Sequence, residues 1–395
     1  MSEQLSQYPA VAEIDLQALA HNVQRMREFA PNSRHMGIIK ADAYGHGRAR
    51  MAVALAEAGY DIVGIAQLAE ALAVRKELDE AGYNEVAVFS WILPPNNEDA
   101  LRAALEAGLE LSVSTVNQII TLSALQIPGR IHLKIDTGMG RAGATPDNFP
   151  TLAAAALQAR ERGLQTVGIW SHLARADEAS EEGREATRRQ IKIFEDAVST
   201  ARELGLDGFE RHLAASSGQI WHEDAHFDMV RDGIAMYGLS SDPSNTPTLD
   251  LDLQPVMTLK AQLTQVKKVK AGQTVSYGGT WVAETDTWLA LVPLGYGDGI
   301  PRHASNAGPV RVYTPNTSID THVVGRVCMD QFVIDLGPAD QAPATVGDWA
   351  VLFGNPHRVS TKGCPTADDW AQASGTINYE IVTRLGTRVP RAYVS

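Results

Sequence analysis

Short apolar runs rich in β-branched residues recur along the first 240 positions. They are "HMGIIK" (35–40), "DIVGIA" (61–66), "EVAVFS" (85–90), "LELSVS" (109–114), "RIHLKID" (130–136), "QTVGIWSH" (165–172), "RHLAAS" (211–216) and "MVRDGIAMYG" (229–238). Gly or polar residues bound several of them, and most are too short for helices, so they predict strands. Between them lie Ala-, Leu-, Glu- and Arg-rich stretches with helical spacing, such as "AEALAVRKELDEAG" and "EEGREATRRQIKIFEDAVSTARELG". The runs are continuous rather than alternating, which suits strands buried on both faces of a parallel sheet. Eight strand–helix units over about 240 residues is the size of a (β/α)8 barrel. A doubly wound open sheet would more often carry G-x-G-x-x-G after its first strand, and none follows here.

"LSSDPSNTPTLDLDLQP" (239–255) breaks the pattern with Pro, Ser and Asp and reads as a connection between domains. Beyond it, "PVMTLKAQLTQVKKVK", "TVSYGGTWVA", "TWLALVPLGYG", "PVRVYT" and "HVVGRVCMDQFVIDL" are strand-like, with turn signals such as "KAGQ" between them. One helix is expected in "TADDWAQASG", with Thr366 as its N-cap. The expected fold is therefore α/β: a TIM-like (β/α)8 barrel over 1–245 and a mostly-β domain over 246–395.

Composition narrows the function. The formal charge of −13 is not organised around any Lys/Arg stripe, so nucleic acid is not an expected partner. Two cysteines, Cys328 and Cys364, exclude a disulfide scaffold and suit a reducing compartment. "MSEQLSQYPAVAEIDL" lacks the basic and apolar regions of a signal peptide, and no apolar run is long enough to span a membrane. A cytoplasmic enzyme is the expectation.

Chemistry in a (β/α)8 barrel gathers at the C-terminal strand ends. Lys40 ends the first strand; Lys134, Asp136 and Arg141 stand at or just beyond the fifth; His172 ends the sixth and Ser216 the seventh; Arg231, Gly233 and Ile234 lie on or after the eighth. Each alone has an ordinary reading. Lys40 would be a solvated exit charge, His172 a hydrogen-bonded rim residue, Ser216 and Gly233 turn residues, Cys328 core and Tyr277 half-buried packing. Their joint placement on one rim favours chemistry. Phosphate recognition needs backbone N–H groups and hydroxyls, which Ser216 in "AASSG", the "DGIA" backbone and Tyr44 can supply. A phosphorylated cofactor and a strand-end lysine together suggest pyridoxal phosphate held as a Schiff base.

Over nearly its whole length the chain resembles the alanine racemases, a pyridoxal-phosphate family with an N-terminal barrel and a C-terminal β domain. "IIKADAYGHG" is similar to that family's lysine motif, "HLKIDTGMGR" to its arginine motif and "VRDGIAMYGL" to its pyridine-contact motif. "VSYGGTW", "PLGYGDG", "VVGRVCMDQ" and "TINYE" match its C-terminal motifs in order. The resemblance implies Lys40 as the Schiff-base lysine and one catalytic base, and Tyr277 of the other subunit of a homodimer as the second. It implies Tyr44, Ser216, Gly233, Ile234 and Tyr379 around the phosphate, Arg231 on the pyridine nitrogen, and His172 bridging Arg231 and Tyr277. It implies Arg141 and the Met329 backbone on the substrate carboxylate with Asp330 nearby, a carbamylated Lys134 orienting Arg141, no metal, and D-alanine made for peptidoglycan.

Two positions depart from the family pattern. Ala215 stands where Asn usually precedes the serine, and Asp232 where an apolar residue or proline is common. Strand alternation is expected to point Asp232 away from the ring. Arg231 donates a hydrogen bond to the ring nitrogen instead of a proton, which weakens the ring as an electron sink. That favours a racemase over a barrel-type decarboxylase of basic amino acids, which would place a carboxylate there and a cysteine near the substrate. The residues also leave room for a racemase of serine or basic amino acids, and for a non-catalytic cofactor-binding barrel. Such a barrel would need neither the β domain nor Tyr277.

Overall fold

The computed structural model describes residues 7–395; the leader reading falls partly on residues 1–6, outside the described residues. Its first strand, β1 (Ala10–Asp15), runs straight into a helix, Leu16–Phe29, because the Asp15 carboxylate accepts hydrogen bonds from Gln17 N and Ala18 N. Eight parallel strands then close into a barrel: β2 (Arg34–Ile38), β3 (Ile62–Gln67), β4 (Ala87–Ile92), β5 (Glu110–Val113), β6 (Gly129–Lys134), β7 (Leu164–Trp170), β8 (Glu210–Ala215) and β9 (Met229–Asp232). All eight barrel strands fall on the expected runs. The ends differ. β2 stops at Ile38, two residues before Lys40, and β9 stops at Asp232, after which Ile234–Tyr237 turn into a short 3-10 helix. That turn forms because the Tyr237 hydroxyl reaches back to the Ile38 carbonyl, 2.8 Å away, under the barrel rim.

A nine-stranded sheet forms the second domain, antiparallel except at one edge. β1 from the chain's start lies within it, between Met257–Gln262 and the final strand Arg391–Val394. The expected helix is Ala367–Ser374, with Thr366 and Asp369 forming a reciprocal capping box and Gly375 ending it at φ 65°. Among the described residues, no helix is long and apolar enough to cross a membrane.

Candidate active site

Strand alternation sends every second side chain of a barrel strand inward. At the C-terminal rim this brings Lys134, Trp170 and Arg231 to the wall of one cavity of about 340 Å³, and the segments that follow the strands add Lys40, Tyr44, His172 and Gly233, with Arg141 and Trp91 also lining it. Four of these residues are cations and none of the wall residues is a carboxylate. Such a wall is built for an anion. Burial, and then the charges of Arg141 and Arg231, hold the Lys40 amine below its ordinary pKa. The same three causes bring Lys134 down to about 8, with Asp136 opposing them; its Nζ lies 4.0 Å over the Trp170 ring.

Lys40 opens a turn that L-residues rarely adopt. Ala41, Asp42, Ala43 and Tyr44 all have φ between 53° and 55°, a left-handed helical turn without a glycine. Its surroundings over-determine it. The Glu70 carboxylate accepts from Ala41 N and Asp42 N, and Asp42 Oδ1 accepts from Arg48 N. His46 Nδ1 stands 3.0 Å from both the Ala43 and the Tyr44 carbonyls, so that nitrogen carries the ring proton; burial lowers its pKa to about 4. From the chain's far end, Arg391 donates to the Gly45 carbonyl and Tyr393 to that of His46.

Arg231 is fully buried and fixed from every side. Its Nη atoms donate to the carbonyls of Ser171 (2.9 Å), His212 (3.0 Å) and Leu213 (2.9 Å), and to His172 Nδ1 (3.1 Å). Among the described residues its Nε–H is the one Arg231 donor without a hydrogen-bond partner. Burial and Arg141 bring its pKa down to about 9, still charged at neutral pH. Because a guanidinium can only donate, the histidine tautomers around it follow. His172 Nδ1 accepts, which leaves the proton on Nε2. His212 Nδ1, 3.3 Å from Arg231 Nη1, also accepts; its Nε2–H then donates to His132 Nδ1 (2.9 Å), and His132 Nε2–H to Glu110 (2.8 Å). A directed hydrogen-bond chain thus runs through the barrel from Glu110 to the rim. Burial first, then the cations around it, hold His172 well below its ordinary pKa.

The loop after β6 carries Arg141. Asp136 Oδ1 accepts from the backbone of Gly138, Met139 and Gly140, and Gln190 ties Thr137 to the His172 and Ala174 backbones. Gly143 (φ 128°) closes the loop where a Cβ would lie 2.5 Å from Asp136 N.

Ser216 Oγ accepts from Gly233 N (3.1 Å) and Ala235 N (3.4 Å), which leaves its own hydrogen free to donate. The Tyr44 hydroxyl stands beside it, and burial raises the Tyr44 and Tyr379 phenols above their ordinary pKa, so both remain donors. A Cβ at Gly233 would sit 3.2 Å from Tyr44 Oη and 3.3 Å from Ser216 Oγ and fill the gap between them. Ile234 follows Gly233, and Tyr379 packs on Tyr44 with ring centroids 6.3 Å apart. These donors fit a phosphate, and the unpartnered Arg231 Nε–H fits a ring nitrogen.

Tyr277, Met329 and Asp330 are not at this wall. With Ser276, Cys328 and Gln331 they line a separate depression on the β domain, and Tyr277 is 71% exposed. Asp330 is ion-paired with Arg388 (2.8 Å). Sequence reasoning missed Trp170, Glu70, His46, Gln190 and the Glu110–His132–His212 chain. Trp170, His132 and His212 each stand an even number of residues before an expected rim residue, so strand parity could have found them. Glu70 and Gln190 lie on helices, where nothing in the sequence marks them.

The family model described as alanine racemase, N-terminal domain, matches residues 14–241, and that described as alanine racemase, C-terminal domain, matches 256–393. An alanine racemase of Beutenbergia cavernae is 47% identical over 393 residues, 98% of each chain. One of Streptomyces coelicolor is 46% identical over 393 residues, 98% of this chain and 96% of its own. The solved alanine racemase from a D-cycloserine-producing Streptomyces lavendulae superimposes with a TM-score of 0.90 at 42% identity, covering 98% of this chain and 97% of that one.

Proposed function

We propose that this chain, which belongs to the alanine racemase family, interconverts L- and D-alanine with pyridoxal phosphate, using Lys40 and the partner subunit's Tyr277 as its two bases. The observation that carries this reading is the cavity itself: four cations and no carboxylate on its wall, the Tyr44 and Ser216 hydroxyls beside Gly233, and an Arg231 Nε–H without a partner among the described residues. Ser216, Tyr44, Tyr379 and the Gly233–Ile234 backbone would hold the phosphate, and Arg231 the ring nitrogen. When bound through Lys40, the cofactor would supply an electron-withdrawing ring that makes the substrate's α-hydrogen acidic.

Inverting a carbon centre requires a proton taken from one face and one returned to the other, so one base on each side is the economical arrangement. Lys40, with its depressed pKa, is neutral in a larger fraction of molecules at a given pH and can accept a proton on its side. On the other side, the His172 Nε2–H would donate to the oxygen of Tyr277 and favour its ionised form, while Arg231 keeps that imidazole neutral and in the required tautomer. Arg141 and the Met329 backbone would hold the substrate carboxylate, with Asp330 beside them. Tyr277 and Met329 face solvent in a depression that shares no residue with the cavity, which supports a homodimer with shared sites. No carboxylate approaches Arg231 from the wall, which disfavours a decarboxylase. Two unpaired thiols fit a reducing cytoplasm, and the D-alanine made there would feed peptidoglycan.

The test is α-hydrogen exchange: the purified protein in deuterated water should convert L-alanine to racemic, α-deuterated alanine. No exchange, with pyridoxal phosphate present, ends the reading. Lys134 offers a further check. An amine with a pKa of about 8 is neutral in roughly a tenth of molecules at pH 7, and a neutral amine adds carbon dioxide to give a carbamate that would pair with Arg141. Labelled bicarbonate is expected to give one carbamate carbon signal that grows from pH 7 to 9 and is missing in Lys134→Ala, whose KM for alanine should rise about tenfold. An unlabelled wild-type protein would show that the free amine is the working form.

A further inference from the structure

Asp232 is fully buried, on the outer face of β9, with its side chain directed away from the cavity and into the helical layer. Its Oδ2 accepts from His35 Nδ1 (2.9 Å), on the neighbouring strand β2, and from the Tyr60 hydroxyl; its Oδ1 has no partner among the described residues. The other His35 nitrogen, Nε2, stands 3.1 Å from the Ala30 carbonyl. Both ring nitrogens therefore face oxygens that accept, and only an imidazolium can donate to both. Tyr60 is held in turn. It packs against Gly37, where a Cβ would lie 3.3 Å from its ring, and the Arg27 guanidinium sits 5.6 Å from its centroid. An apolar side chain would fill the same space without the desolvation that a buried ion pair costs, so packing alone does not account for these three groups.

The position of this cluster is informative. Asp232 lies between Arg231 and Gly233 in the chain, so one peptide on each side of it leads to the ring-nitrogen donor and to the phosphate cradle. The register Gly37↔Asp232 places the cluster across the β2–β9 seam, and β2 leads directly to Lys40. We propose that Asp232, His35 and Tyr60 form a positioning clamp for the cofactor, an imidazolium–carboxylate–phenol cluster that locks β9 to β2 and so fixes Arg231 and Gly233 relative to Lys40. The clamp touches neither cofactor nor substrate. It rests on the functional reading above and adds a pH dependence to it. Burial acts to lower the His35 pKa, but the hydrogen bond and charge of Asp232 outweigh it and raise the value above 6.5, with Arg27 opposing. A cationic partner with a raised pKa contributes fully below its ordinary value, and the contribution is lost as pH rises through the raised one. Asp232 and Arg27 are the ionisable groups that act on His35, and Tyr60 faces both of them.

The experiment follows release of pyridoxal phosphate from the loaded protein on dilution, by its visible absorption, between pH 6 and 9, beside the thermal midpoint. Asp232→Asn keeps an oxygen for Tyr60 and removes the charge. It is expected to raise the cofactor's dissociation constant about tenfold at pH 7, about 1.4 kcal/mol, and to move the weakening seen with rising pH to lower pH. His35→Gln is expected to weaken the cofactor to a similar extent and to remove that pH step, and it serves where Asp232→Asn does not fold. Dissociation constants within twofold of wild type and superimposable pH profiles would overturn the clamp, even where the midpoint falls, because a purely structural role moves only the midpoint. A wild-type chain that takes up no pyridoxal phosphate overturns the functional reading and this one with it. Equal uptake with and without the Asp232 charge overturns the clamp alone.

Discussion

Lys40→Ala is expected to lower alanine racemisation at least a thousandfold, about 4 kcal/mol of barrier, and to abolish the absorption of lysine-bound cofactor. Two functions are lost at once, since the same amine would tether the cofactor and serve one face of the substrate. Retention of a tenth of wild-type activity would assign the attachment elsewhere. If the sites are shared between two subunits, a second result follows. Equal amounts of Lys40→Ala and Tyr277→Phe subunits, unfolded and reassembled together, would leave about a quarter of all sites intact, because half of the dimers are mixed and each of these has one site with neither change. No recovery, with mixed dimers demonstrated, would place both bases within one chain.

Tyr277→Phe should reduce net racemisation by about a hundred- to ten-thousandfold, the usual range for a positioned acid–base group. The two enantiomers are equal in free energy, so net conversion must fall equally in both directions. The asymmetry appears instead in deuterium wash-in. The enantiomer whose α-hydrogen faces Lys40 should still exchange with retention, whereas its mirror image should exchange hardly at all. Equal, small losses for both would identify a different second base.

The barrel was legible because each of its strands is a continuous apolar run, and continuity distinguishes a strand covered on both faces. The rim residues were legible for the same reason: Lys134, His172 and Arg231 interrupt or end such runs, where a polar group is conspicuous. Lys40 was placed one step wrongly, at the end of a strand rather than at the start of a left-handed turn. Nothing in "KADAY" announces positive φ, because the conformation is imposed by Glu70, His46 and Arg391 rather than chosen locally. Asp232 looked like a departure without a purpose. Its partners, His35 and Tyr60, are 197 and 172 positions away in the chain, and only the closure of β9 on β2 brings them together. The separation of Tyr277 from Lys40 was invisible to periodicity altogether: the two line different hollows of one chain.

The left-handed turn also orders events during synthesis. Four L-residues in that conformation cost about 1–2 kcal/mol each, a sum that rivals the net stability of an ordinary domain. Two of the groups that hold the turn, Arg391 and Tyr393, come almost 350 positions later in the chain. A nascent barrel can therefore close its strands while Lys40 is still misdirected, and its amine is set in place only when the strand Arg391–Val394 has been made and has docked against β1.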